Sequence, residues 1–142
     1  MITANVFVTF STTGDTDIID ITQKVKEKVT ETGVSEGSVI IFVPGSTASV
    51  TTIEYESGVV DDLKEAINRI APESGHYRHN ARWGDGNGYA HVRAALLGPS
   101  LVVPVFEGQI CLGTWQQIVL LDFDNRPRTR KLVLQVSGNN PL

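Results

Sequence analysis

Two of this chain's three histidines fall within the stretch His79-Asn80-Ala81-Arg82-Trp83-Gly84-Asp85-Gly86-Asn87-Gly88-Tyr89-Ala90-His91. Imidazole is the commonest metal ligand, and a carboxylate such as Asp85 can complete or orient a histidine pair. The intervening Asp85-Gly86-Asn87-Gly88 combines two strong turn signals, because Asp, Asn and Gly tolerate positive φ. If that turn folds the chain back, His79 and His91 meet and can share a divalent cation, zinc or magnesium. The plain alternative is a tight turn with histidines beside it. A calcium loop is excluded: with Asp85 as first position, the required glycine is Ala90 and the required final Glu is Leu96. The glycine spacing also fails for a dinucleotide site, and no Lys follows to make a phosphate loop. His91 is expected to open a short helix, whose free N–H groups favour an anion. His76 reads as a surface residue.

A second constellation is Gly45-Ser46-Thr47-Ala48, followed by Glu54 and Glu56. A strand ending in Gly-Ser-Thr exposes backbone N–H groups and hydroxyls that can hold a phosphate or carboxylate. An ordinary Ser/Thr turn explains the same residues. Glu54 and Glu56, two apart in a β-branched run, are expected on one strand face, with Glu54 a candidate acid or base. A third is Asn125-Arg126-Pro127-Arg128-Thr129-Arg130-Lys131, where Arg128 and Arg130 project alike if the segment is extended. An arginine fork suits phosphate, and charged residues also blunt an exposed strand edge. In "GTWQQI", Trp115 and Gln116 are expected inside a strand, where the Gln needs a polar partner.

The elements that must position these residues follow from periodicity. Val6, Val8 and Phe10 alternate as in a half-buried strand, and "DIIDIT" suits a second. Val25 and Val29, one turn apart, mark a helix from Thr22 that Gly33 stops. "SVIIFVPG" and "ASVTTIEYE" read as strands. Val59, Val60, Leu63, Ile67 and Ile70 line one helix face ahead of Pro72. "AHVRAALLG" suits a short helix, and "SLVVPVFEG", "QICLGTWQQIVLLDFD" and "RKLVLQVSG" are strand-like. Strands in succession without helices between them indicate an α+β fold of mostly antiparallel, sandwich-like sheets with about three helices. A single domain over residues 1–142 accommodates all of it.

Composition narrows the classes. The net charge of −4 supplies no field for nucleic acid or an anionic membrane, and no apolar run approaches a membrane span. The lone cysteine, Cys111, excludes an internal disulfide and fits a reducing compartment. "MITANVFVTF" lacks the basic and apolar regions of a signal peptide. A cytoplasmic location is expected, with neither a nucleic-acid nor a membrane partner.

An ordered set of segments resembles the YjbQ-like family, also called secondary thiamine-phosphate synthase-like proteins. They are Gly45-Ser46-Thr47-Ala48…Glu54, Asp61-Asp62-Leu63, Tyr77-Arg78-His79, Asn87…Ala90-His91, Leu97-Gly98-Pro99-Ser100, Leu112-Gly113-Thr114-Trp115-Gln116 and Arg126-Pro127-Arg128. The resemblance spans nearly the whole chain and is densest from Gly45 to Arg130. It implies a homotrimer with a polar pocket near the subunit boundary and a divalent cation at His79 and His91. It also implies a thiamine-phosphate synthase activity, which joins a pyrimidine methyl diphosphate to a thiazole phosphate and releases pyrophosphate. On that reading Glu54 and Asp85 are catalytic, Asp85 also completing or orienting the cation's shell. Ser46, Thr47 and Arg128 grip phosphate, and Trp115 and Gln116 match the family's Trp-Gln pair. One departure stands out: many members carry a histidine where this chain has Gly45, so three histidines cannot come from those positions. Two other readings remain, a metal-dependent hydrolase of a phosphorylated or cyclic substrate and a non-catalytic module that binds a metabolite or metal.

Overall fold

The computed structural model describes residues 1–140. Along the chain run β1 (Ile2–Thr12), β2 (Asp17–Asp20), α1 (Thr22–Glu31), β3 (Glu36–Phe42), β4 (Ala48–Ile53), α2 (Ser57–Ile70), α3 (Arg78–Trp83), α4 (Gly88–Leu97), β5 (Ser100–Phe106), β6 (Gln109–Ile110), β7 (Gln117–Asp122) and β8 (Arg128–Asn139). The strands form two antiparallel sheets, ordered β1-β8-β3-β5-β6 and β2-β7-β4. The fold is α+β, one compact domain, as expected; residues 141 and 142 lie outside the described residues. Among the described residues no helix is long and apolar enough to cross a membrane.

β7 explains the layering. Successive side chains of a strand point to opposite faces, and β7 is apolar on both. Ile118 and Leu120 enter the core between the two sheets, with Val39, Ile41, Leu132 and Leu134. Val119 and Leu121, with Phe123 just beyond, enter a second core against Ile67 of α2 and Tyr89, Ala90 and Ala94 of α4. A strand covered on both sides reads as a continuous hydrophobic run. The three-stranded sheet is therefore the middle layer, between the five-stranded sheet and the α2–α4 face. The outer face of the five-stranded sheet leaves Phe7, Phe42, Val102 and Phe106 exposed.

Three helices of ten or more residues match the expected count, and α3 is an addition of six residues. α1 runs to Glu31, and Gly33 follows at φ +76°, as its stop signal required. The strand after Gly45 ends at Ile53, earlier than expected. Glu54 and Glu56 are consequently not partners on a strand face: the Glu56 carboxylate caps α2, accepting from the Gly58 and Val59 amides at 2.8 and 2.7 Å. Those two amides hold its pKa below the ordinary value. Trp115 and Gln116 are likewise outside the strand, because β7 begins at Gln117.

At the end of β7 the apolar pattern breaks into two fully buried carboxylates, Asp122 and Asp124. Asp122 accepts from Arg130 Nε (2.8 Å), Arg130 Nη2 (2.9 Å) and the Thr12 hydroxyl (2.6 Å). Asp124 accepts from Arg128 Nη2 (3.0 Å), Thr47 Oγ1 (3.0 Å) and Asn87 Nδ2 (3.2 Å). Burial alone would raise both acids. The arginines and hydroxyls that bond the charged forms outweigh it and leave both pKa values below the ordinary 3.8. A lowered carboxyl pKa contributes stability that is complete above the unfolded value and lost as pH falls through the folded one. The chain is therefore expected to lose stability in urea titrations below about pH 4, and Asp122→Asn to flatten that dependence. At neutral pH, Asp122→Ala strands the Arg130 guanidinium and should cost about 3–5 kcal/mol. A cost under about 1 kcal/mol in the same titration would show the pair to be dispensable.

Candidate functional site

The chain reversal expected between the histidines takes place through α3, a left-handed turn and the start of α4. Gly84, at φ +67° and ψ +17°, ends α3 in the conformation that L side chains avoid, and its amide donates to Asn80 O at 2.8 Å. Asp85 then folds over its own loop: its Oδ1 accepts from the Asn87 amide at 3.1 Å. The Asn80 side chain accepts from the Gly88 amide at 2.9 Å, which ties α3 to the first residue of α4. Gly88 allows the approach, since a Cβ there would lie 2.5 Å from Tyr77 Cβ.

The two imidazoles come together. Their ring centres are 4.4 Å apart and the planes are tilted by 51°. His79 Nε2 lies 3.0 and 3.1 Å from the two Asp85 carboxylate oxygens. One ligand atom from each of His79, Asp85 and His91 falls within 4.8 Å of the others, and among the described residues no other trio of His, Cys, Asp or Glu is grouped this way. The hydrogen bond from His79, then that from the Asn87 amide, holds the Asp85 carboxyl below its ordinary pKa. His79 and His91 are half-buried and Asp85 is exposed, so one side of the trio faces solvent. It opens on a cleft of about 690 Å³ between the 76–81 segment and Gly88, His91 and Val92. Exposed His76 lines the same cleft.

His91 also walls a second crevice, of about 280 Å³, shared with Gly45, Ser46, Ala48, Ala94, Ala95 and Pro99. α4 packs over the start of β4: Ser49 Oγ donates to Ala94 O at 3.0 Å and the Val50 amide to Gly98 O at 3.2 Å. That crossing brings the Gly45–Ala48 turn to His91. Within the turn, Ser46 is exposed and Thr47 is buried. The Thr47 hydroxyl donates to Asp124 and accepts from Arg130 Nη2 (2.7 Å), so its hydrogen-bonding capacity is spent inside the protein.

The other expected residues lie elsewhere in the chain. Arg128 turns to Asp124, and its Nε is buried without a hydrogen-bond partner. Glu54, Trp115 and Gln116 gather at the far end of β4. Gln116 Nε2 donates to Thr52 Oγ1 at 3.2 Å and its Oε1 accepts from the Gly113 amide at 3.0 Å. Trp115 is 74% exposed. β4 rises about 3.3 Å per residue, so this end stands more than about 15 Å from Ala48. One chain does not bring these three residues to the histidines.

Buried Asn87, Asp122 and Asp124 had no assigned part in the site, yet they carry its loop. Asn87 spans from Asp124 to the Asn125 amide, which donates to Asn87 Oδ1 at 3.1 Å, and Asn125 Nδ2 donates to Asp85 O at 2.8 Å. The one sequence signal was the pair of acids in "LLDFD", too close to an apolar run to be solvated.

The family model described as UPF0047 protein YjbQ-like matches residues 7–139. This chain belongs to the YjbQ family. A UPF0047 protein of Archaeoglobus fulgidus is 38% identical over 128 residues, covering 90% of this chain and 97% of that one. Another, from Mycobacterium tuberculosis, is 40% identical over 117 residues, covering 81% and 86%. The crystal structure of a YbjQ-like protein of unknown function from Sulfolobus solfataricus superposes with a TM-score of 0.87 at 31% identity, covering 96% of this chain and 99% of that one. A Clostridium acetobutylicum structure of the YjbQ family gives 0.85 at 34% identity, covering 93% and 99%. The YjbQ resemblance and the α+β fold both hold; what these relatives establish of function is membership in a family without an assigned activity.

Gly88 is the most sensitive point of the YjbQ chain's site geometry. Gly88→Ala must push Tyr77 and the start of α3 away, at about 1–3 kcal/mol. Thermal unfolding and the resonances of His79 should both shift. An unchanged His79 environment would mean that α3 is not held by this contact.

Proposed function

We propose that His79, Asp85 and His91 hold a divalent cation, and that the protein uses it on a phosphorylated small molecule. The observation that carries this reading is the grouping of three ligand atoms within 4.8 Å at the mouth of a cleft. Tetrahedral sites with bonds near 2.0 Å need ligands about 3.3 Å apart, so small shifts of the rings and carboxylate suffice. Three protein ligands with one side open are the arrangement of a catalytic rather than a structural cation, and two imidazoles with one carboxylate favour zinc over magnesium, which takes oxygen ligands. Gly45, at φ +122°, supplies no fourth ligand; water or substrate takes that place.

When bound, the cation would neutralise the charge of a departing phosphate or diphosphate. His91 anchors the site on the well-packed α4. Asp85, whose carboxyl the bond from His79 holds below its ordinary pKa, is ionised and would give up that bond to ligate the cation, which frees His79 Nε2 to do the same. The reaction we assign is condensation of a pyrimidine methyl diphosphate with a thiazole phosphate, in which a C–O bond breaks, a C–N bond forms and pyrophosphate leaves. The family resemblance supports that choice, and a cleft of about 690 Å³ has room for two small rings.

Calorimetry on chelator-treated protein should show one Mn²⁺ or Zn²⁺ per chain, with affinity reduced at least tenfold in His91→Ala. With both precursors and Mg²⁺, coupled product should form, and His91→Ala should abolish it. No product above the protein-free background, with His91→Ala matching the wild type, sinks the synthase assignment. Consumption of one phosphorylated compound alone would instead favour hydrolysis, and binding without turnover would favour a non-catalytic module.

The same reading includes a homotrimer. The uncovered apolar face that carries Phe7, Phe42, Val102 and Phe106 supports it, because contiguous exposed apolar surface marks association sites. Light scattering should give three times the 15.4 kDa of the chain, and Val102→Asp should lower that mass. A wild-type monomer at micromolar concentration would refute assembly.

A further inference from the structure

Behind Gly45, part of the wall of the crevice beside His91, lies a donor that the cation reading leaves unused. Arg130 is nine-tenths buried, and its Nε and Nη2 are committed to Asp122 and Thr47. Its third nitrogen, Nη1, hydrogen-bonds to no atom among the described residues. It points at Gly45: a Cβ built there would stand 3.0 Å from Nη1. Arg130 is not itself in the wall of the 280 Å³ crevice; Gly45 is, and with no side chain of its own it leaves Nη1 one residue behind that wall. The Gly45 and Ser46 amides and the Ser46 hydroxyl likewise have no hydrogen-bond partner among the described residues. Successive free amides beside a fixed guanidinium are the elements of an oxyanion site.

We propose that this crevice is a phosphate pocket, in which Arg130 Nη1, reached past Gly45, and the Gly45–Ser46 amides bind the phosphate group of a small-molecule ligand. The guanidinium is held in advance by Asp122, so none of its rotamer entropy is lost on binding. At about 30 Å³ per water, the 280 Å³ crevice has the space of about nine waters, which admits a phosphate group with room beside it. The body of the ligand then has two places to go, the rest of the crevice and, past His91, the larger cleft that His91 also lines. In this arrangement Arg130, rather than Arg128, is the phosphate-binding arginine. The inference deepens the proposed function by placing the phosphate end of its substrate, but the pocket's donors do not include the cation.

The test uses inorganic phosphate as probe on isotope-labelled wild-type protein stripped of metal by chelator. Phosphate should shift the Gly45 and Ser46 amide resonances saturably, and sulfate should compete. Gly45→Ala fills the gap before Nη1 and should weaken phosphate at least tenfold, while Mn²⁺ affinity stays within twofold of the wild type. If strain at φ +122° keeps that variant from folding, the wild-type resonance titration decides alone. Phosphate that leaves those amides unmoved, that moves them only when metal is present, or that binds Gly45→Ala as it binds wild type overturns the pocket. Wild-type protein that binds phosphate at those amides but takes up no Mn²⁺ would sink the cation reading and leave this one standing.

Discussion

Two carboxylates with no access to water, Asp122 and Asp124, set the arrangement of everything near the histidines. Buried charges survive only where their lone pairs are taken up, and these two take partners from four separate segments. Asp122 binds Thr12 at the end of β1 and Arg130 in β8. Asp124 binds Thr47 before β4 and Asn87 before α4. A buried ion pair returns little net stability once desolvation is counted, and the two apolar cores supply the driving force for folding. The network contributes position. It registers the β1 end, the Gly45–Ala48 turn and the Gly84–Gly88 loop against one corner of the middle sheet. Two acids and two arginines also leave that corner without net charge.

Most of the architecture was legible because burial imposes periods. β1 alternates, α2 keeps its apolar stripe, and α1 stops at Gly33, each a local consequence of where water is excluded. The misplacements came where local pattern did not set the boundary. The β-branched run after Ala48 suggested a strand through Glu56, but the Tyr55 amide turns to Gln117 Oε1 at 2.7 Å, and Glu56 becomes a helix cap. Trp115 and Gln116 adjoin an apolar strand without joining it, because the Gln116 amide and side chain close a turn on Gly113. α3 buries none of its residues and so leaves no periodic trace. Its hold comes from Gly84 and from the Asn80–Gly88 bond.

The site divides along the same line. His79, Asp85 and His91 were legible as a set because Asp-Gly and Asn-Gly announce a reversal, and the reversal suffices to bring rings twelve positions apart into contact. The supporting acids could be seen only as charges out of place. Their partners are far along the chain, 110 positions for Thr12 with Asp122 and 37 for Asn87 with Asp124, and no local rule connects them. Arg130 was legible as one basic residue among several. Only the fold shows that two of its nitrogens are spoken for and that a glycine stands before the third.

The two histidines do not rest on equal foundations. His91 belongs to a helix whose Tyr89, Ala90 and Ala94 are buried against β7, so its Cα is fixed by core packing. His79 belongs to a six-residue helix with nothing buried, held by polar contacts at its ends. Segments with few buried apolar contacts open at low free-energy cost. Any contraction of the trio toward coordination distance must therefore come from α3 and the Asp85 loop, with α4 as the fixed wall. The Asn87–Asp124 bond limits that travel, because Asn87 joins the Asp85 loop to the buried corner. His79 and the exposed Asp85 carboxylate are the groups with room to shift, while the crevice is bounded by His91 on α4 and by the turn that Thr47 anchors to Asp124. A ligand anchored by its phosphate in the crevice would meet the adjustable half of the site with its other end. That division suits a substrate held at one point while a cation settles against it, better than it suits a rigid structural metal.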